Sequence, residues 1–292
     1  MQRKYPMTPT LGWSVSRYDK FNICKRQYYY DYYAKYDREV SLERISALKT
    51  QTSIPLEIGN LVHDTIAALL HRLRKTTDPI DTENVLGYSK KMVDRAIQNK
   101  IFSEVYYGKL QEIDSDGMKE RVVRCMETFF HSEWYPWLLC DAVEQKSAWI
   151  IEPNDYGEIR INGFKAYCKV DFLFPVSDQN FFIMDWKTGK VDTKKHVKQM
   201  KGYVLYAKDI CNVTSDHVRP LIAYLGSGYQ EIINTFGDDE LDEFILQIGM
   251  ETKEMYQYCE NIDENIPKSK AVFAMQSGRA CNYCNYKELC GL

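Results

Sequence analysis

The sequence predicts a mixed α/β fold, a β-sheet flanked by helices, and three observations carry that expectation. Helical spacing of apolar residues dominates the first half of the chain. From about residue 146 the pattern changes to short β-branched and aromatic runs. Past residue 190, helical and strand-like segments alternate. The composition supports this, since 292 residues that are 45% hydrophobic and 27% charged can bury a sizeable core. Disordered, collagen-like and coiled-coil architectures are excluded. No apolar run much exceeds the five residues of 66–70, far short of the roughly 20 that cross a bilayer. The first thirty residues are basic and aromatic and lack a signal-peptide core, so a cytoplasmic protein without a membrane partner is expected.

Ser16 and Asp19 have capping-box spacing, and neither Gly nor Pro interrupts the stretch to residue 35, so a helix is expected over 16–35 with Cys24 on it. Residues 51–58, containing Pro55, read as a linker. Residues 56–74 then carry Ile66, Ala67, Leu69, Leu70 and Leu73 in amphipathic order, with His63 on the apolar face. Helical spacing returns over 81–140 (Val85, Met92, Val93, Ile97, Val122, Met126, Phe129, Phe130) and is broken at Ser115, Asp116 and Gly117, so 75–143 reads as a helical insertion. Strands are expected over 149–151, 158–161, 167–174 and 181–186, most simply as a meander. A helix from 192 or 193 to about 209, strands over 220–225 and 230–236, and a long helix over 238–260 complete the order. The expected organisation is one domain over 1–292, with an N-terminal helix at 14–36, a sheet core at 144–236 and a helix with a Cys-rich closure at 237–292.

The hairpin of 167–174 and 181–187 contains the most informative geometry. If its turn centres on Asp178, paired residues have numbers summing to 356, which places Asp171 opposite Asp185. Opposed side chains have Cβ atoms roughly 4.5–5.5 Å apart, and two carboxylates that close destabilise a sheet unless positive charge lies between them. Hard oxygen ligands at this spacing suit Mg2+ or Mn2+, which lower the pKa of a bound water. Lys187 follows Asp185 by two residues and so projects on the same face, where an ammonium can steer water or neutralise developing charge. The bland alternative is a solvated pair on an exposed sheet with a surface ion pair. Against it, Val170, Phe172, Leu173, Phe181, Phe182, Ile183, Met184 and Trp186 are apolar on both faces and imply buried strands, where charges need partners.

Gln199 and Tyr203 are spaced i,i+4 on the next helix, with Tyr206 and Ala207 on the same face. That face can contact a nucleic-acid backbone or simply pack. The stretch 187–201 holds six lysines (187, 190, 194, 195, 198 and 201) and one aspartate, in a chain of net charge −3. Phosphates reward such a stretch, although charge runs also serve as solvated faces. His63 taken alone reads as a satisfied core histidine more readily than as a ligand.

Nine cysteines, odd in number and without an export signal, do not form a disulfide framework. Cys125, Cys140, Cys168, Cys211 and Cys259 are isolated and read as buried residues or spectators. Cys281, Cys284 and Cys290 form C-x2-C-x5-C at the C-terminal end, while Cys24 stands alone near the N-terminus.

Together these residues resemble the RecB-like branch of the PD-(D/E)XK nucleases. The branch pattern is met in order by Gly59-x3-His63, Val170-Asp171, Asp185-Trp186-Lys187 and Gln199-x3-Tyr203. Ser14, Val15 and Ser16, followed by Cys24 and the tyrosines 28, 29, 30, 32 and 33, resemble its N-terminal segment. The resemblance spans 14–36, 56–73 and 144–291 and leaves the helical insertion unmatched. It implies a restriction-endonuclease-like core and a metal-dependent deoxyribonuclease. His63, Asp171 and Asp185 would bind Mn2+ or Mg2+, Lys187 would position water, and Gln199 and Tyr203 would support the active site and the DNA backbone. Lys190, Lys194, Lys195 and Lys198 would add basic charge for DNA. One subset, including AddB-type nuclease domains and CRISPR adaptation nucleases, closes its fold with a [4Fe-4S] cluster on one N-terminal cysteine and a C-terminal C-x2-C-x5-C. Cys24, Cys281, Cys284 and Cys290 match that set, while a four-cysteine zinc site is the alternative that the thiols alone permit. The implied substrate is single-stranded DNA or DNA ends. Nothing resembles a Walker A loop, so unwinding would need a helicase, and an integrase-type protein is a second possible partner. The rival is a non-catalytic DNA-end-binding or scaffold subunit of a recombination, CRISPR-adaptation or defence complex.

Overall fold

A computed structural model describes residues 4–76, 78–140, 142–153, 155–177 and 180–291, apart from the side chains of residues 142–144 and 195. Its helices are α1 (Val15–Ile23), α2 (Lys25–Tyr33), α3 (Leu42–Lys49), α4 (Ile54–Lys75), α5 (Thr82–Asn99), α6 (Ser103–Tyr106), α7 (Ser115–Phe130), α8 (Trp134–Cys140), α9 (Thr193–Cys211) and α10 (Asp238–Tyr256). Its strands are β1 (Ile150–Ile151), β2 (Glu158–Ile161), β3 (Phe164–Tyr167), β4 (Phe172–Pro175), β5 (Phe181–Lys187), β6 (Val218–Tyr224), β7 (Gln230–Ile233), β8 (Cys259–Asn261) and β9 (Ile266–Pro267). This is the expected mixed α/β class. The chain divides into two compact units, one of residues 52–157 and 168–241 and one of residues 4–51, 158–167 and 242–291.

The first unit holds a five-stranded sheet in the order β1-β4-β5-β6-β7. Strand β5 pairs antiparallel with β4 and parallel with β6. The parallel pair needs a long crossover, and α9 supplies it. The β4–β5 register pairs Phe172 with Met184 and Leu173 with Ile183, so numbers sum to 356 as the sequence predicts. Asp178, the expected turn centre, lies outside the described residues. One core joins Leu61, Val62, Ile66 and Leu70 of α4 to Phe172, Trp186 and Leu221 of the sheet. Leu86 and Val93 of α5, Val122, Met126 and Phe129 of α7 and Leu138 of α8 belong to the same core, so the helices unmatched by the resemblance build the fold rather than decorate it.

Several local expectations change. Pro55 lies in the first turn of α4, where its missing N–H costs nothing, so the helix begins at Ile54 and the expected linker is shorter. Ser115, Asp116 and Gly117 do not break a helix. They form the first turn of α7, because the Asp114 carboxylate accepts from Gly117 N at 3.0 Å and caps it. The expected helix over 16–35 is two helices. Its cap is Ser14, which accepts from Arg17 N, and Cys24 adopts an extended backbone between α1 and α2 (φ −161, ψ 114). The meander is also replaced, since β1 pairs with β4 while β2 and β3 form a separate ladder. Asn162 and Gly163, both in the left-handed region (φ 46 and 80), close that ladder in a two-residue turn. The single strand expected over 167–174 is thereby split into β3 and β4.

The second unit is built on aromatic packing. Phe21, Tyr28, Tyr29, Tyr33 and Phe273 are buried in mutual ring contact. The Arg17 guanidinium stacks 4.1 Å from the Tyr32 ring centroid and donates from Nε to the Tyr28 hydroxyl at 3.1 Å, while its Nη2 is buried without a hydrogen-bond partner. Lys270 closes the C-terminal segment onto Asp37 at 2.8 Å. Among the described residues no helix is long and apolar enough to cross a membrane.

Candidate active site

The site lies wholly within the first unit and is organised by the end of β5. Strand alternation sends Trp186 into the core, against Phe129 and Phe172, and leaves Asp185 and Lys187 together on the other face. Asp171 immediately precedes β4, where the register places it opposite Asp185. Both carboxylates are buried, with Asp171 8% and Asp185 1% exposed. Trp186 N donates to Asp171 Oδ2 at 3.1 Å, which fixes Asp171 to the neighbouring strand.

His63 enters from α4. Its Nδ1 is 3.2 Å from Asp171 Oδ2 and its Nε2 is 2.6 Å from the Trp186 carbonyl oxygen. A carbonyl can only accept and an ionised carboxylate can only accept, so both ring nitrogens donate and the ring is an imidazolium. Burial opposes that charge, but the Asp171 charge and hydrogen bond outweigh it and raise His63 to about 9. Gly59, one turn earlier on α4, faces Thr188 Oγ1, which a Cβ would meet at 3.4 Å.

Asp185 is divided between two neighbours. Its Oδ1 accepts from Gln199 Nε2 at 3.1 Å and from the Tyr203 hydroxyl, while its Oδ2 is paired with Lys187 Nζ. The i,i+4 pair on α9 therefore faces the carboxylate, and Tyr203 is buried rather than presented to solvent. Burial raises Asp185, Lys187 pulls it down and the Asp171 charge raises it again, for a net upward shift. Asp171 goes the other way. Burial would raise it, but His63, Lys187 and the Trp186 N–H together hold it below the usual carboxylate range. Lys187 is raised, because Asp185 and Asp171 outweigh its desolvation. The cluster is two carboxylates sharing two cations in a low-dielectric pocket.

Glu152, which follows β1, has no counterpart among the sequence candidates. A carboxylate oxygen of Glu152, a ring nitrogen of His63 and a carboxylate oxygen of Asp171 lie within 4.8 Å of one another. No spacing rule reaches it, because β1 is two residues long and pairs with β4 only through the tertiary fold. Of the basic residues, Lys190 and Lys194 are exposed, Lys198 is half-buried and Lys201 pairs with Glu240 at 3.6 Å. The side chain of Lys195 lies outside the described ones. Tyr206, on the helix face of Gln199 and Tyr203, is buried.

The second unit contains the other candidate centre. Cys24, Cys281, Cys284 and Cys290 line one cavity of about 310 Å³, together with Gln27, Tyr30 and Lys287. Burial and the neighbouring thiols push Cys284 up to about 11, and burial and Cys24 raise Cys290. Of the isolated cysteines, Cys125, Cys168 and Cys259 are buried, Cys211 is half-buried and Cys140 is exposed.

The family model of the PD-(D/E)XK nuclease superfamily matches residues 12–291. No curated protein matches the chain. Among solved structures, one described as the crystal structure of SSO0001 is similar, with a TM-score of 0.32 and 13% identity, over 68% of this chain and 80% of that one.

Proposed function

The chain belongs to the PD-(D/E)XK nuclease superfamily, and from that premise we propose that it is a metal-dependent deoxyribonuclease acting on single-stranded DNA or DNA ends. The observation that carries this reading is the convergence of Asp171, Asp185, Lys187 and His63 at the end of one buried strand pair. The donor set fits a divalent cation. It offers the buried carboxylates of Asp171 and Asp185, held by directed hydrogen bonds, and a His63 imidazole within ligand spacing of Asp171 and Glu152. On this reading Asp171, Asp185 and His63 hold Mn2+ or Mg2+, and His63 gives up a ring proton to do so. The metal supplies Lewis acidity and an acidified water for phosphodiester hydrolysis.

The chain's own groups do the rest. Gln199 and Tyr203 fix the Asp185 carboxylate in one orientation from α9. The Lys187 ammonium, on the same face, orients the attacking water and stabilises negative charge developing on the phosphate. Lys190, Lys194, Lys195 and Lys198 neutralise the backbone of the strand.

The four cysteines hold a [4Fe-4S] cluster on the same proposal, as in AddB-type and CRISPR adaptation nucleases, and the cluster ties the N- and C-terminal segments of the second unit. Four thiols lining one cavity support a shared centre. A tetrahedral four-cysteine zinc site is the alternative that the same thiols permit. The proposal takes residues 1–292 as one nuclease domain that acts in the cytoplasm, with a helicase or integrase-type partner in recombination, CRISPR adaptation or defence.

Cleavage of labelled single- and double-stranded DNA with Mn2+, Mg2+ or EDTA tests it. Metal-dependent cutting that Asp185→Asn and Lys187→Ala both abolish is expected, with each variant folded. Cutting that survives EDTA or either substitution overturns the assignment, and a folded, metal-loaded protein that cuts nothing points to the scaffold role.

A further inference from the structure

We propose that Glu152 is a further metal-binding residue, acting with His63 and Asp171, and that Lys169 stands in for the cation when the metal is absent. The inference rests on the nuclease reading above and extends it to a residue outside the four sequence motifs.

The geometry begins with the backbone. Glu152 N donates to the Asp171 carbonyl at 3.0 Å, continuing the β1–β4 pairing one residue past Ile151 and Phe172. The chain of Glu152 is turned into the left-handed region, at φ 39, where a residue with a Cβ is rarely found. That turn accompanies a carboxylate directed toward Asp171 and His63, with donor atoms of all three inside the 4.8 Å that one cation spans. His63 is thus grouped with Glu152 and Asp171, whereas both oxygens of Asp185 are engaged by α9 and Lys187. Asp171 is common to both sets.

Lys169 supplies the second observation. Its Nζ lies 2.9 Å from Glu152 Oε2, and its side chain is 46% exposed. A long, largely exposed cation on a half-buried carboxylate is held weakly and can swing into solvent. It neutralises Glu152. A metal and the ammonium then compete for the same carboxylate.

The test is Mn2+ binding to the full chain, read by electron paramagnetic resonance of free Mn2+, for wild type, Glu152→Gln, Lys169→Met and Asp185→Asn, with melting curves in EDTA for each. The expected result is affinity weakened roughly tenfold or more in Glu152→Gln and tightened in Lys169→Met, since a ligand is removed in one and a competitor in the other. A structural ion pair predicts something else: both substitutions lower the melting temperature similarly and neither moves Mn2+ affinity. That outcome, with Asp185→Asn still weakened, overturns the role of Glu152 and leaves the nuclease site standing. A wild type that binds no Mn2+ overturns both.

Discussion

The Nε2 of His63 lies 2.6 Å from the carbonyl oxygen of Trp186, the residue between the two charged members of the D-x-K motif. With Nδ1 on Asp171, this contact makes His63 a buried cation beside Lys187. Its proton is bound more tightly in the folded chain, at about 9, than at the ordinary 6.5. The stabilisation it provides is full below about pH 6.5 and is lost as pH rises through about 9. Its size is at most roughly 3 kcal/mol. Chemical denaturation in EDTA across this range is expected to show that decline, and His63→Gln to flatten it.

The carbonyl of Thr188 lies so close to Gly226 that a Cβ at position 226 would collide with its oxygen. Because the obstacle is backbone, no rotamer relieves it. Gly226→Ala is expected to cost about 1–3 kcal/mol and to displace the loop directly after Lys187. Cleavage should fall more than global stability, and equal losses in both would mean that the loop does not position the site.

Tyr203 donates to a carboxylate that is 1% exposed, so removing its hydroxyl leaves a buried charge short of a donor. Tyr203→Phe is expected to destabilise by about 1–3 kcal/mol and to lower cleavage by roughly 10- to 100-fold through a misoriented Asp185. A denaturation midpoint and initial rates on one DNA substrate check both. An unchanged rate would reduce Tyr203 to packing.

Cys281 shares its cavity with the other three candidate cluster cysteines. Cys281→Ala is expected to lose the visible absorbance and iron content together with solubility, because residues 273–291 form only short helical turns and bury two side chains, Phe273 and Tyr286. A stable, colourless, folded variant from an iron-containing wild type would make the cluster dispensable. Zinc in the wild type would replace the cluster with a tetrahedral site.

Much of the site was legible because β-strand geometry is periodic. Alternation put Asp185 and Lys187 on one face, and apolar residues on both faces of β4 and β5 marked buried strands, so one assumed turn centre was enough to set Asp171 opposite Asp185. Helix boundaries were less legible where capping competes. Asp114 caps a first turn at Ser115 to Gly117, where a break is expected, and Ser14 rather than Ser16 caps α1, and the difference is one hydrogen bond each. The Asn162–Gly163 turn shows the reverse case, a strong local signal that closes β2 onto β3 where a plain meander is expected.

The sequence by itself determined the class of the fold and the β4–β5 register, since both follow from local periodicity, while the set of four spaced motifs is what the family resemblance implies. The tertiary structure alone decided how their charges are shared. His63 bridges Asp171 and the Trp186 carbonyl, α9 takes one oxygen of Asp185, Lys187 takes the other, and Glu152 arrives from a two-residue strand. It likewise broke the expected helix at Cys24 and brought that thiol to three cysteines more than 250 residues away. The physical reason is common to both. A buried charge or ligand set is satisfied by atoms near in space and distant in sequence, and no local pattern records which of them will meet.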